Sequence, residues 1–155
     1  MARSISKTIL LVEDSDEKRR EYERYIGDLS KKRKCRISTK TAESFREVEK
    51  LVIKAKNGKD EDVIHCAVVD AQIWPDENKG TQDARVNIHW GREAIKKLEE
   101  MLLPQQLMII TSYAPSVKAL LDTDVLRDRV FSKPLHKDLF KDFVEEMLFP
   151  ESAEY

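Results

Sequence analysis

Five polar residues that could bind a phosphoryl group or a divalent cation each come at the end of a short apolar run. They are Glu13 and Asp14 after residues 9–12, Asp70 at the end of residues 63–70, Thr111 after residues 107–110, and Lys133 after residues 130–132. Magnesium prefers oxygen ligands such as carboxylates, whereas a hydroxyl and an ammonium group can donate hydrogen bonds to phosphoryl oxygens. If the fold brings these residues together, the set suits a phosphoryl group and a hard divalent cation.

The apolar runs that precede these residues predict the strands of a parallel sheet. They are continuous and rich in Val, Ile and Leu, as is typical of strands that are buried on both faces. A shorter and more polar run at residues 36–39 predicts a further strand near a sheet edge. Ligands of open α/β sheets bind outside the carboxyl ends of the strands, so the five polar residues would share one edge of the sheet.

Helical patterns alternate with the predicted strands. Apolar residues recur at helical spacing in five segments, at about residues 22–29, 45–55, 94–102, 116–126 and 135–148. We therefore predict an α/β protein with a flavodoxin-like doubly wound sheet of five parallel strands, in the order 2-1-3-4-5, flanked by five helices. We expect the polar segment from Ile73 to Trp90 to be irregular.

The composition predicts a single domain and argues against several classes of function. With 155 residues, 41% of them hydrophobic and 37% charged, the chain can build one core with a highly solvated surface. Its net charge of −1 gives no overall field to attract nucleic acid, and no apolar stretch approaches the roughly 20 residues of a membrane span. The N-terminus lacks the apolar segment of a signal peptide, and the two cysteines form no metal-ligand pattern. We therefore expect a cytoplasmic protein that binds neither nucleic acid directly nor a membrane.

Four motifs around the polar residues resemble those of the receiver domains of two-component response regulators. In this sequence they are Leu11-Val12-Glu13-Asp14-Ser15, Val68-Val69-Asp70, Ile109-Ile110-Thr111-Ser112 and Phe131-Ser132-Lys133-Pro134-Leu135. Each motif is weak alone, but all four occur in order and each lies at a predicted strand end. The resemblance covers about residues 7–149, which implies a single stand-alone receiver domain over residues 1–155, with a short C-terminal tail at residues 150–155.

The resemblance implies a role for each residue of the set. Asp70 would accept the phosphoryl group, Thr111 would bind it through its hydroxyl, and Lys133 would neutralise one of its oxygens. The resemblance also implies a Mg²⁺ site formed by Glu13, Asp14, Asp70 and the backbone carbonyl of Gln72. Such a protein catalyses only its own phosphorylation and dephosphorylation and is otherwise not an enzyme.

The resemblance further implies the partners of the protein. A sensor histidine kinase or a histidine phosphotransfer protein would phosphorylate Asp70. Because the predicted receiver domain leaves no room for an output domain in this sequence, the signal would leave by binding a downstream protein or by passing the phosphoryl group onward. The family usually binds partners, or forms homodimers, through the face made by the fourth helix, the fifth strand and the fifth helix.

Two single residues depart from the common receiver pattern. Val130 stands three residues before Lys133, where the family usually has an aromatic switch residue, and Phe131 should point to the opposite face of the sheet. Tyr113 is a candidate substitute for that aromatic residue. Ser112 occupies the position after the predicted phosphoryl-binding threonine, where the family most often has alanine.

The loop after Asp70 is also longer than in most receivers. We predict an insertion at about residues 76–89, which is polar and is flanked by Trp74 and Trp90. Long irregular loops inside compact domains are usually functional or disordered. The insertion would form a flap beside the site or a docking surface, or it is simply a tolerated solvated loop.

Two other interpretations remain open. A constitutive interaction module would keep the fold and lose the switch; the departures favour it slightly, whereas the complete polar set argues against it. A phosphatase of the haloacid-dehalogenase type would use Asp14 and Asp16 as an Asp-x-Asp element, but Glu17-Lys18 stands where a threonine or valine is typical. No later strand ending in an acidic pair follows. Absence of magnesium affinity would favour the module, and steady turnover of a phosphate ester would favour the phosphatase.

Overall fold

A sheet of five parallel strands, in the order β2-β1-β3-β4-β5, forms the centre of the computed structural model, which describes residues 6–76 and 84–150 except for the side chains of residues 84–86. The strands are β1 (Ser6–Val12), β2 (Arg36–Ala42), β3 (Cys66–Asp70), β4 (Leu107–Thr111) and β5 (Val130–Ser132). Their order and direction confirm the predicted flavodoxin-like doubly wound sheet.

Six helices connect and flank the strands in the described part of the chain. They are α1 (Asp16–Arg33), α2 (Phe45–Lys56), α3 (Ala84–Leu98), α4 (Ala114–Leu120), α5 (Asp124–Arg127) and α6 (Lys137–Leu148). The side chains of Ser15 and Ser44 cap α1 and α2, because each accepts a hydrogen bond from the backbone of the first helical turn. None of these helices is long and apolar enough to cross a membrane.

The core consists of two apolar layers, one on each face of the sheet. Alternate residues of a strand point to opposite faces, so Leu10 and Ile109 join the layer beneath α2, α3 and α4. Leu11 and Ile110 join the layer beneath α1 and α6. Burial on both faces explains why the strand sequences are continuous apolar runs and do not alternate with polar residues.

Val130 and Phe131 lie in different layers of the core. Val130 belongs to the layer beneath α2, α3 and α4, whereas Phe131 packs against the opposite layer, with its ring centroid 4.5 Å from that of Phe143 in α6. The prediction that Phe131 points to the opposite face of the sheet is confirmed. At this position of the sheet, the layer that Val130 faces therefore receives an aliphatic side chain.

The predicted count of five helices is wrong, because the segment at residues 116–126 forms two helices. Pro115 lies in the first turn of α4, which begins before the predicted start. Leu121 then has an extended conformation, with φ −88° and ψ 143°, and ends this helix. The side chain of Thr123 accepts a hydrogen bond from the Leu126 N–H and starts α5.

The prediction of an irregular segment from Ile73 to Trp90 is also wrong over its last part. Helix α3 begins at Ala84, and its buried residue Ile88 extends the apolar stripe of Ile95 by two turns. The polar residues around this position hid the helical spacing. Of the predicted insertion at residues 76–89, residues 84–89 belong to α3, and residues 77–83 lie outside the described residues.

Gly91 of α3 approaches the segment after Asp70 so closely that a larger residue should destabilise the fold. A Cβ atom at residue 91 would lie 1.8 Å from the backbone oxygen of Ala71. We expect Gly91→Ala to lower the free energy of unfolding by about 1–3 kcal/mol in urea titrations, because the two backbones must move apart. Gly27→Ala is the control, since a Cβ atom there meets nothing within 4 Å, and it should stabilise α1 by up to about 1 kcal/mol. A Gly91→Ala protein as stable as the wild type would contradict this contact.

His65, which lies just before β3, makes two hydrogen bonds with Thr8 of β1. One of them depends on the charge of the His65 imidazole. The Thr8 N–H donates to Nδ1 of His65 at 2.9 Å, which requires an unprotonated Nδ1, and the His65 N–H donates to the Thr8 carbonyl at 2.9 Å. Burial and the charge of Lys7 lower the pKa of His65 below its ordinary value of 6.5.

The unfolded chain therefore binds a proton at His65 before the folded protein does. The stabilisation that His65 contributes is complete above the pKa that His65 has in the unfolded chain. It is lost as the pH falls below 6.5 and through the lower pKa that His65 has in the folded protein. We expect the difference in urea midpoint between wild type and His65→Ala to shrink between pH 8 and pH 5. A difference that stays constant over this range would contradict a neutral, hydrogen-bonded His65.

Candidate functional site

Three carboxylates meet at the carboxyl ends of β1 and β3. Glu13 and Asp14 directly follow β1, Asp70 ends β3, and Val12 pairs with Val69 across the two parallel strands. Each of the three residues offers a carboxylate oxygen, and these oxygens lie within 4.8 Å of one another. Glu13 and Asp70 are buried and Asp14 is half-buried. The sheet therefore brings together the three acidic residues that the sequence placed at strand ends.

Lys133 joins this acidic cluster from the end of β5. Its Nζ atom donates to Oδ2 of Asp70 at 3.0 Å and lies 3.5 Å from Oε1 of Glu13. The backbone N–H of Lys133 donates to the Thr111 carbonyl at 2.9 Å, which fixes the start of the loop after β5, and the Lys133-Pro134 peptide bond is cis. Burial opposes the charge of Lys133, but Asp70 and Glu13 raise its pKa above the ordinary value, so the side chain stays a cation.

The three carboxyl groups of the cluster crowd one site beside Lys133. Oε2 of Glu13 is buried and has no hydrogen-bond partner among the described residues. Burial, and then the neighbouring Asp70, raise the pKa of Glu13 well above its usual range, so this carboxyl group holds a proton at neutral pH when no cation is present. A divalent cation with oxygen ligands fits this set, because it would take the place of that proton and of the partner that Oε2 lacks among the described residues.

Both oxygens of Asp70 have a hydrogen-bond donor. The second donor is the backbone N–H of Gln72, which lies 2.9 Å from Oδ1. Gln72 is thus beside the cluster, as the sequence predicts, and the contact that fixes it is made by its N–H group. The predicted contact of its carbonyl oxygen with a metal ion stays a prediction.

Thr111 lies at the same edge, one strand further along the sheet. Asp70 pairs with Ile110 across β3 and β4, so Thr111 is the next residue beyond that pair, and it is fully buried. Its Oγ1 accepts a hydrogen bond from the Tyr113 N–H at 3.0 Å. The hydroxyl of Thr111 can still donate its own proton. The hydrogen bond that it accepts links it to Tyr113, the residue that precedes α4.

An open depression of about 300 Å³ borders the cluster on the side of α1 and β5. Lys133 and Ser112 line it together with Tyr22, whose ring stacks on Phe140 with 4.8 Å between the centroids. Burial, and then the charges of Glu13 and Asp70, raise the pKa of Tyr22, so this phenol stays neutral. Lys133 is therefore accessible from this side.

The segment after Asp70 crosses the edge of the sheet and is attached to α2. The carbonyls of Trp74 and Pro75 accept hydrogen bonds from the N–H groups of Phe45 and Arg46, at 2.9 and 3.1 Å. The side chain of Trp74 is buried, and the ring of Trp90 lies 5.2 Å from that of Phe45. Both tryptophans that flank the predicted insertion are therefore packed against the domain. Whether the insertion forms a flap stays a prediction, because residues 77–83 lie outside the described residues.

Asp16 does not join the acidic cluster. Arg19, which the motifs did not single out, contacts the backbone of Glu13 in the cluster. The Asp16 carboxylate is 70% exposed and forms an ion pair with Arg19. Nη1 of Arg19 also donates to the backbone carbonyl of Glu13 at 2.8 Å. No sequence signal distinguishes Arg19, because Lys18 and Arg20 beside it are also cations and its partner Glu43 is distant in the sequence.

This architecture is found in solved response regulator structures. A response regulator receiver domain protein from Clostridium thermocellum gives a TM-score of 0.61 at 12% identity, and the match covers 96% of this chain and 99% of that chain. The chain has a receiver-domain fold. The Mn(2+)-bound form of response regulator Rcp1 gives a TM-score of 0.50 at 14% identity, with 96% and 97% of the two chains covered. No protein-family model and no curated protein matches the sequence.

In this receiver-domain fold, Lys133 is the cation that offsets the charges of Glu13 and Asp70. Lys133→Gln should lower the free energy of unfolding at pH 7 by about 1–3 kcal/mol, since buried carboxylates lose a charged hydrogen-bond donor. Lys50→Gln, at an exposed position of α2, should change it by less than about 0.5 kcal/mol. Urea unfolding without divalent cations measures both values. Equal stabilities of the two variants would show that Lys133 does not offset the charge of the cluster.

Proposed function

We propose that this protein is a phosphoacceptor of two-component signalling that takes a phosphoryl group on Asp70 in the presence of Mg²⁺. A sensor histidine kinase or a histidine phosphotransfer protein would supply the group. The observation that carries the proposal is the cluster of Glu13, Asp14 and Asp70 held against Lys133 at the carboxyl edge of a receiver-domain sheet. A sheet edge of this kind is where open α/β folds bind their ligands.

The donor set supports a hard divalent cation beside the acceptor. Asp14, Asp70 and the backbone carbonyl of Gln72 would hold Mg²⁺, and Glu13 would contact water bound to it. The buried and donor-free Oε2 of Glu13 and the unbalanced charge of the cluster support this assignment. When bound, the ion supplies positive charge between the carboxylates and an incoming anionic donor. The Mn(2+)-bound form of response regulator Rcp1, which has a similar fold, is in line with this proposal.

The residues of the chain would perform the transfer mainly by position and charge. A carboxylate oxygen of Asp70 forms a bond to phosphorus while the phosphorus–nitrogen bond of a phosphohistidine breaks, and the imidazole nitrogen keeps the bonding electron pair. The product is an aspartyl phosphate. Lys133, already 3.0 Å from Asp70, would neutralise one phosphoryl oxygen, and the Thr111 hydroxyl would donate to another.

The signal would leave the domain through a protein partner. Oγ1 of Thr111 holds the Tyr113 N–H, and Tyr113 directly precedes α4, so a phosphoryl group that attracts Thr111 acts on the start of this helix. The predicted output face therefore corresponds to α4, β5 and α6, where a downstream protein or a second copy of the chain would bind. Helices α4 and α6 expose Leu120 and Leu139, which suits such a contact. We place the protein in the cytoplasm, where such kinases act and where its two buried thiols suit a reducing compartment.

The test is intact-mass spectrometry after incubation with Mg²⁺ and acetyl phosphate. We expect one phosphoryl adduct on the wild type and on the control Asp142→Asn, an exposed position of α6, and none on Asp70→Asn. An adduct that persists in Asp70→Asn would contradict the assignment of the acceptor. A wild type that takes no adduct, and whose tryptophan fluorescence does not respond to Mg²⁺, would contradict the proposal and favour a phosphorylation-independent interaction module.

A further inference from the structure

Arg19 makes three ionic or hydrogen-bonded contacts at the base of the acidic cluster. Its Nη1 atom donates to the backbone carbonyl of Glu13 at 2.8 Å and lies 2.7 Å from a carboxylate oxygen of Glu43. Its Nη2 atom contacts the carboxylate of Asp16. Only 14% of the Arg19 side chain is exposed, so this guanidinium group is held in place and is not a solvated surface charge.

The position of Arg19 in its helix is unfavourable for a cation. Arg19 lies in the first turn of α1, where the aligned peptide dipoles place a partial positive charge. Asp16 and Glu17 occupy the same turn and have the sign of charge that the dipole favours. The contacts with Glu13 and Glu43, together with the i,i+3 ion pair with Asp16, account for the fixed position of Arg19.

These contacts close a ring around the backbone of Glu13. The Glu13 N–H donates to the carbonyl of Ala42, the last residue of β2, at 2.9 Å. The Glu13 carbonyl accepts from Arg19, and Arg19 in turn pairs with Glu43, the residue after Ala42. The turn after β2 thus holds the N–H of Glu13 directly and its carbonyl through Arg19. The bonded carbonyl belongs to the peptide group that joins Glu13 to Asp14.

We propose that Arg19 is a positioning residue that orients the Glu13–Asp14 peptide group so that both carboxylates face a divalent cation. This inference rests on the metal site of the proposed function. Three carboxyl groups within 4.8 Å crowd one another, and any two that are ionised repel, so the backbone that carries them must fix their directions. The hydrogen bond from Arg19 supplies that constraint without using the cluster's own oxygens.

The geometry requires arginine and not only a positive charge. Two nitrogens of one planar guanidinium group reach partners in three different segments: the end of β1, the first turn of α1 and the turn after β2. A lysine ammonium group is a single point charge on a flexible chain and cannot hold the three partners in a fixed plane. Arg19→Lys should therefore restore only part of the function that Arg19→Gln removes.

The experiment measures Mg²⁺ affinity by calorimetry in four proteins. We expect Arg19→Gln to weaken Mg²⁺ binding about tenfold, as is usual when a residue that supports metal ligands is removed, and Arg19→Lys to give an intermediate value. Arg20→Gln is the matched control, because Arg20 is the adjacent residue of α1 and is exposed, and its affinity should equal that of the wild type. Circular dichroism and thermal unfolding establish that each variant is folded at the temperature of the titration.

A further variant tests the ring from its other side. Glu43→Gln removes the partner of Arg19 in the turn after β2 and leaves α1 and the acidic cluster intact. It should weaken Mg²⁺ binding less than Arg19→Gln, and the double variant should be no weaker than Arg19→Gln alone, since both changes act through one contact network. Independent, additive effects would contradict the ring.

The outcomes separate this inference from the proposed function. If the wild type binds Mg²⁺ and folded Arg19→Gln binds it with the same affinity, Arg19 only stabilises the fold and the inference is wrong, while the metal site stands. If Arg19→Gln is less thermally stable than the wild type but binds Mg²⁺ with the same affinity, the inference is likewise wrong and the metal site stands. If the wild type itself binds no Mg²⁺, the proposed metal site fails and the inference fails with it.

Discussion

Crowding of three carboxyl groups at one edge of the sheet is the constraint on which the rest of this structure depends. Glu13 and Asp70 are buried, and Asp14 lies close enough that oxygens of all three residues fall within 4.8 Å. Burial and the neighbouring Asp70 hold the pKa of Glu13 well above its usual range, and Lys133 offsets part of the negative charge that remains. The folded state therefore contains an unfavourable cluster that the surrounding core must compensate, as is common where function requires groups that reduce stability.

The scaffold compensates by fixing the backbone of Glu13 and the side chain of Asp70. Glu13 is bonded through its N–H to Ala42, and Asp70 accepts from the N–H of Gln72. The apolar layers on both faces of the sheet keep β1, β3 and β4 in register, so the strand ends cannot move apart to relieve the crowding. Among the described residues, Oε2 of Glu13 has no hydrogen-bond partner. The strands that carry Glu13 and Asp70 are thus fixed by contacts within the described residues, independently of any cation.

The sheet and the acidic cluster could be predicted from the sequence because both follow from local patterns. Continuous apolar runs identify strands buried on two faces, and polar residues at their ends must then share one edge. The start of α3 at Ala84 was missed because the polar residues around Ile88 hide its helical spacing, and the break at Leu121 was missed although the cap at Thr123 is a local signal. The contacts of Arg19 could not be predicted, since its partner Glu43 is distant from it in the sequence.

Contacts lead from the edge that carries Asp70 toward two different helices. These contacts matter because Val130 occupies the position where receiver domains usually have an aromatic switch residue. One connection runs across the sheet edge to Thr111, whose Oγ1 holds the N–H of Tyr113 before α4. The other runs along the chain, from the N–H of Gln72 on Oδ1 of Asp70 to the backbone bonds between residues 74–75 and the start of α2. An aspartyl phosphate on Asp70 would change the charge and the size of the group at which both connections begin. Hydrogen bonds to the side chains of Asp70 and Thr111 lie on these two paths, so the proposed signal would have routes toward α2 and α4 in a chain with Val130 at the usual aromatic position.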